Sequence, residues 1–390
     1  MQARARERAN QWIAQGALTN SKRPEAYLQG VYPTHFSHGE GCYLYDENGE
    51  GYLDFVGGLG TNLFGYGHPV ISEAVRAVLR KGPSLSFPSL LEIEVAEMLC
   101  RFTGYDKVRF FKTGTEACIA ALRIAKTAYP EAKTISEGYH GWSDQFVQLT
   151  EPAHGCFKSD DIIDIKDNRD KLVGKIVITE PVLLDDSTDR IAELKQYGAY
   201  AKCVIYDEIV TGFRFPKHFV YQWASTKPDI LVLGKGLANG FPMSAVLMSN
   251  KLANADWFCS GTYCGDLVGL VATKACLELA KKSNSENLYY YAKRFLTKLN
   301  NILKPLNFQI QGYGTRGFMA LDQHDELLFI QEMSKAGVLL GKAFFFNYAH
   351  LEENTDHLVL NVAADIVQKI IHKKVKPEWE APPTSSFVRY

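Results

Sequence analysis

Between residues 108 and 246 short apolar runs alternate with longer stretches of helical periodicity, and no other feature narrows the choice of fold as far. The short runs are VRFF at 108–111, IVIT at 176–179, CVIY at 203–206 and ILVL at 230–233. Between them lie TEACIAALRIAKTAY, with Ala117, Ala121, Ile124 and Ala128 recurring at helical spacing, and IAELKQYGAY. Apolar runs alternating with helices are the pattern of a largely parallel sheet covered by helices, so an α/β fold is expected.

The 390 residues, 46% hydrophobic and 22% charged, suffice for one large core and a second, smaller one. Residues 71–290 are expected to form the large domain. Residues 291–390 are expected to form a small α+β domain, with 1–70 contributing to it. Within that first segment GCYLYDENGEGYLDFVGG, at 41–58, reads as a hairpin turning at Asp46-Glu47-Asn48-Gly49.

Charge and cysteine usage exclude several classes. The 43 basic and 44 acidic residues nearly cancel, which removes the broad electrostatic argument for a nucleic-acid partner. Eight cysteines are scattered without a C-x-x-C pair or a metal-like cluster, so reduced thiols, a cytoplasmic setting and no metal are expected. The opening MQARARERANQW lacks the apolar core of a secretory signal, and no stretch reaches the roughly 18 apolar residues of a membrane helix. It reads as a surface helix, with a transit peptide as the alternative.

The apolar run ILVL stops at Gly234, and Lys235 follows between glycines. A lysine in an apolar setting loses hydration and becomes a better amine nucleophile, able to form a Schiff base with a substrate carbonyl or with that of pyridoxal 5'-phosphate; a strand-end lysine that reaches out to water is the other reading. CVIY delivers Asp207 to the carboxyl end of the sheet, where open α/β sheets bind ligands. A carboxylate there is suited to a protonated pyridine nitrogen, or to an ordinary helix or turn cap. After VRFF, Gly114 supplies a turn and Thr115 or Glu116 opens a helix whose N-terminus favours a phosphate or simply a cap. In EGYHGWSDQ the aromatic residues Tyr139, His140 and Trp142 surround Gly141 on a loop, placed to lie on a flat ring or to pack among themselves.

Taken together, GTEA at 114–117, YHGW at 139–142, ITEP at 178–181, YDEIVTGFR at 206–214 and PDILVLGKGLANGFPMSAV at 228–246 resemble, in order and spacing, the class III pyridoxal-phosphate aminotransferases. The nearest likeness is to glutamate-1-semialdehyde aminomutase and its aminotransferase relatives, over roughly residues 30–280. The resemblance implies pyridoxal-phosphate fold type I, with a large domain built on a mostly parallel sheet plus a small α+β domain. It implies that Lys235 carries the Schiff base, Asp207 pairs with the ring nitrogen, and Gly114 and Thr115 hold the phosphate. Tyr139 would stack on one face of the ring and Ile209 on the other. Thr262, in SGTYCGD at 260–266, would reach the phosphate of a partner subunit, which implies a homodimer. The implied substrates are a small amino donor and a carbonyl acceptor. Intramolecular aminomutation, racemisation and a non-catalytic relative stay open as alternatives.

Departures from the pattern bear on substrate. Leu59 stands where the aminomutase has tryptophan, Cys264-Gly265-Asp266 where relatives usually have Ser-Gly-Asn, and Lys112-Thr113 where a small polar pair is usual. Arg214 reads as structural, and Arg316 is a candidate for a substrate carboxylate. Glu180 reads as an acid behind the site or a surface residue. Phe346, Tyr348 and His350 are loop candidates or domain packing, and His68 reads as structural.

Overall fold

The computed structural model describes residues 2–150, 155–168, 171–184 and 186–384. The chain divides into two compact units: Pro69–Glu286 forms one, and the chain before it joins the chain from Asn287 onward in the other.

The Pro69–Glu286 unit is organised by a seven-stranded sheet. Its strands are β1 (Lys107–Phe111), β2 (Thr134–Glu137), β3 (Ile162–Asp164), β4 (Ile176–Thr179), β5 (Cys203–Asp207), β6 (Ile230–Leu233) and β7 (Ser244–Met248). Their order across the sheet is β1-β7-β6-β5-β4-β2-β3. All neighbours from β6 to β3 run parallel, and β7 is antiparallel to both β1 and β6. Two reversals restore the original direction, so β1 points the same way as β6, and six strands present their carboxyl ends at one edge.

Every residue of β4, β5 and β6 is buried, as expected for parallel strands covered on both faces. One cover is α2 (Gly114–Ala128), introduced after α1 (Leu90–Thr103) in the chain. Its buried face is mostly Ala117, Ala120, Ala121 and Ala125 beside Cys118, Leu122 and Ile124, and such small residues let a helix lie close to a sheet. The helix α3 (Thr188–Tyr200) precedes β5, and α4 (Leu267–Lys282) follows β7 with Asp266 as its N-cap.

In the other unit the expected hairpin is present. Tyr43–Tyr45 pairs antiparallel with Gly51–Asp54, and Asp46 closes the turn by accepting the Asn48 and Glu50 N–H groups at 2.8 and 3.0 Å. A second sheet joins Gln311–Tyr313, Arg316–Phe318 and Ala343–Phe345, with the helix Ser285–Leu303 ahead of it in sequence. No helix among the described residues is long and apolar enough to cross a membrane.

Candidate active site

Asp207 is the last residue of β5 and pairs in register with Val232 of β6, so Lys235 lies three residues further along the neighbouring strand's path. Lys235 has φ +41 and opens the short 3-10 turn Lys235–Ala238. A left-handed conformation costs a residue with a Cβ roughly 1–2 kcal/mol, and such strain persists where surrounding structure enforces it. The flanking Gly234 explains itself by space, since a Cβ there would meet two carbons of Ile209 at 3.3 Å.

Asp207 is 3% exposed, and both of its oxygens are engaged. Oδ1 accepts the Ile209 N–H at 3.0 Å, while Oδ2 lies 2.8 Å from His140 Nδ1 and 3.3 Å from Cys118 Sγ. His140 is 1% exposed, and its Nε2 is 2.9 Å from the Glu137 carbonyl oxygen. A carbonyl only accepts, so Nε2 carries hydrogen and the ring meets acceptors on both sides. The short contact of Nδ1 with Asp207 Oδ2 is a buried hydrogen bond. Burial first, and then the Asp207 charge, push the Cys118 thiol well up from its ordinary pKa; the Lys235 charge pulls it down.

The helix α2 begins at Gly114, earlier than the expected start, because Thr113 takes the N-cap. Its hydroxyl accepts the Glu116 N–H at 3.2 Å, and Glu116 Oε2 accepts the Thr113 N–H at 2.8 Å. The Ala117 N–H bonds to the Thr113 carbonyl, whereas the N–H groups of Gly114 and Thr115 make no hydrogen bond among the described residues. They form the anion-favouring end of a 15-residue helix. A Cβ on Gly114 would come within 2.6 Å of Ile209, so this helix start and Ile209 adjoin.

The loop after β2 reaches the same place. Gly141, at φ +100, approaches Thr115 so closely that a Cβ would stand 2.3 Å from its hydroxyl. Glu180, buried at the end of β4, accepts the Tyr139 N–H at 2.7 Å and fixes the backbone of a tyrosine whose side is 40% exposed. Beneath it Arg190 bonds Glu137 Oε2 at 2.8 Å, Thr179 Oγ1 at 2.9 Å and the Glu180 carbonyl at 2.9 Å, tying the ends of β2 and β4 together.

Gly114, Thr115, Ile209, Asp207 and Lys235 thus gather at one sheet edge with the Tyr139 loop. Thr262 does not join them by any hydrogen bond among the described residues; it sits exposed on a turn before α4. The stretch leading to that turn is pinned by basic side chains: Arg109 bonds the Cys259 carbonyl and Arg123 the Phe258 carbonyl, each at 2.9 Å. Lys112 makes an ion pair with Asp266, so two of the departures from the family pattern meet. Arg214 is buried in this unit. Arg316, Phe346, Tyr348 and His350 are all buried within the other unit, where His350 stacks on Phe55 with ring centroids 4.3 Å apart. Leu59 adopts φ +62 there, and His68 lies beside Phe64.

Sequence reasoning did not single out Cys118, which looked like one more scattered thiol, and took His140 only as an aromatic. The available signal was position: Cys118 lies one turn into the helix that Gly114 opens.

A mostly parallel sheet with a lysine and a buried acid at the ends of adjacent strands, facing a helix N-terminus, is the large-domain architecture of the pyridoxal-phosphate enzymes of fold type I. Solved structures of that fold superpose over nearly the whole chain. The Sphingopyxis sp. MTA144 FumI protein, determined in its PLP internal aldimine form, matches with TM-score 0.84 at 21% identity, over 96% of this chain and 98% of its own. An omega-transaminase from Sphaerobacter thermophilus matches with TM-score 0.77 at 21% identity, covering 94% and 97%. A β-phenylalanine aminotransferase from Variovorax paradoxus matches with TM-score 0.80 at 20% identity, covering 96% and 94%. The chain belongs to the class-III aminotransferase family, whose signature, Aminotransferase class-III, matches residues 27–160 and 187–347.

Proposed function

We propose that this chain moves an amino group between a small amino compound and a carbonyl acceptor, using pyridoxal 5'-phosphate held at the sheet edge. The observation that carries the reading is the placement of Asp207 and Lys235 at the ends of adjacent, in-register strands. The residues fit the cofactor: an amine, a buried carboxylate and two helix-start N–H groups lie around a cradle kept narrow by Gly114 and Gly234 against Ile209.

When bound, the cofactor supplies a carbonyl for amine exchange and a ring that withdraws electrons from the substrate carbon. Lys235 Nζ is the amine that holds it and, once displaced by substrate, the group that takes and returns the proton of the reacting carbon. Asp207 would supply the counter-charge of the ring nitrogen. The Gly114 and Thr115 N–H groups, with the Thr115 hydroxyl, would hold the phosphate, while Tyr139 and Ile209 would flank the ring. Residues 71–290 act as the cofactor-binding domain.

The active form in this reading is a homodimer, with Thr262 serving the partner's phosphate. Its support is an apolar strip of Leu85, Phe87, Leu90 and Ile93 that the Pro69–Glu286 unit leaves exposed. The eight free cysteines agree with a reducing, cytoplasmic setting.

The test is the visible and near-ultraviolet spectrum of protein reconstituted with pyridoxal phosphate, before and after amino donors without an acceptor. A visible band that a donor converts to the pyridoxamine form is expected, and Lys235→Ala should lower turnover at least about a thousandfold. Absence of any band in the wild type, or wild-type turnover by Lys235→Ala, would reject the assignment.

A further inference from the structure

Asp207 Oδ2 is shared by two side chains before any ring nitrogen arrives. His140 meets it at 2.8 Å and the Cys118 thiol at 3.3 Å, from a helix position 89 residues earlier in the chain. The atoms of Cys118, His140 and Asp207 lie within 4.8 Å of one another, all buried. Each contact has the length of a hydrogen bond, so the three form a proton-sharing cluster. The thiol has one role available in it. Burial and the adjacent carboxylate keep it protonated, and a protonated thiol facing a carboxylate donates.

We propose that Cys118 is a positioning residue for the cofactor ring: its S–H bond to Asp207 Oδ2 fixes the carboxylate in the orientation in which it would meet the ring nitrogen. The reasoning is local. Oδ1 is occupied by the Ile209 N–H at 3.0 Å, so with the Ile209 backbone the carboxylate has donors on both oxygens and little freedom to turn. A donor on Oδ2 holds that oxygen in place as the Ile209 N–H holds the other. Cys118 is itself immobilised, since it belongs to the buried core between α2 and the sheet. The thiol is thus a fixed partner of Oδ2 beside His140, and its donation sets the orientation that Asp207 offers to the ring. This inference rests on the reading that pyridoxal phosphate binds at Lys235 and Asp207.

Infrared difference spectra of wild type against Cys118→Ala isolate one S–H stretching band among the eight cysteines. In the cofactor-free protein the band should lie at the low frequency of a thiol donating to a carboxylate, and loading with pyridoxal phosphate should raise it as the ring nitrogen draws on Oδ2. Alongside, titration of the cofactor-free proteins with pyridoxal phosphate should show Cys118→Ala binding roughly five- to tenfold more weakly and Cys118→Ser, which retains a donor, within about twofold of wild type. A band at the free-thiol position, or one that loading leaves unmoved, overturns the proposal. Equal weakening of the Ser and Ala variants overturns it too, since loss of fit would then be the cause. If the wild type takes up no cofactor, the parent reading falls and this one with it, whereas uptake with an unmoved S–H band rejects this one alone.

Discussion

Glu208, next to Asp207 in sequence, is fully buried and turns away to cap a different segment. Its carboxyl oxygens accept the Val220 N–H at 2.9 Å, the Tyr221 N–H at 3.1 Å and the Thr211 hydroxyl at 3.0 Å. Burial raises its pKa from 4.5 to about 7; the three donors oppose that rise and the Asp207 charge adds to it. The folded chain therefore binds this proton more tightly than the unfolded chain. The resulting stability is fully present below pH 4.5 and is lost as the pH rises through about 7, with a span of about 3 kcal/mol. Unfolding midpoints measured from pH 4.5 to 8 should fall with this slope in the wild type and flatten in Glu208→Gln. An identical slope in both proteins would assign the effect to other groups.

At the scale of elements, the strands read most easily were those whose residues had no alternative to burial. IVIT and ILVL coincide with β4 and β6, and CVIY with β5 apart from its terminal Asp207. TISE, which forms β2, carries no such signal, because Thr134, Ser136 and Glu137 are polar. What makes a buried strand of them is the Arg190 guanidinium on Glu137 and Thr179, a partner 53 residues away from Glu137 that no local pattern announces. The site divides in the same way. Asp207, Lys235 and Gly114 were legible because each follows an apolar run, while the Cys118 and His140 contacts span 89 and 67 residues and exist only once α2 and the β2 loop have packed. The close approach of α2 depends on its alanines. Ala121→Leu should therefore cost about 1–3 kcal/mol through overpacking, read as a lower denaturant midpoint, and an unchanged midpoint would mean that α2 has room against the sheet.

For the whole molecule, the exposed strip is the feature that a folded single chain leaves unexplained. Phe87 and Leu90 are 83% and 84% exposed, and Ile93 lies one turn along α1 from Leu90. Charge placed there should be neutral for one chain and ruinous for a pair. If the proposed homodimer uses this strip, Phe87→Asp with Leu90→Asp should sediment at half the mass of the wild type and retain less pyridoxal phosphate. An unaltered mass would place the subunit contact elsewhere.

The ion pair of Lys112 with Asp266 joins two positions at which the sequence is expected to depart from the family pattern. Both side chains are largely withdrawn from water, at 19% and 13% exposure, and removing one partner of such a pair leaves the other charge stranded. A lineage changing one position at a time would pass through that stranded charge, so neither departure is freely reversible alone. A relative carrying either residue is therefore expected to carry both.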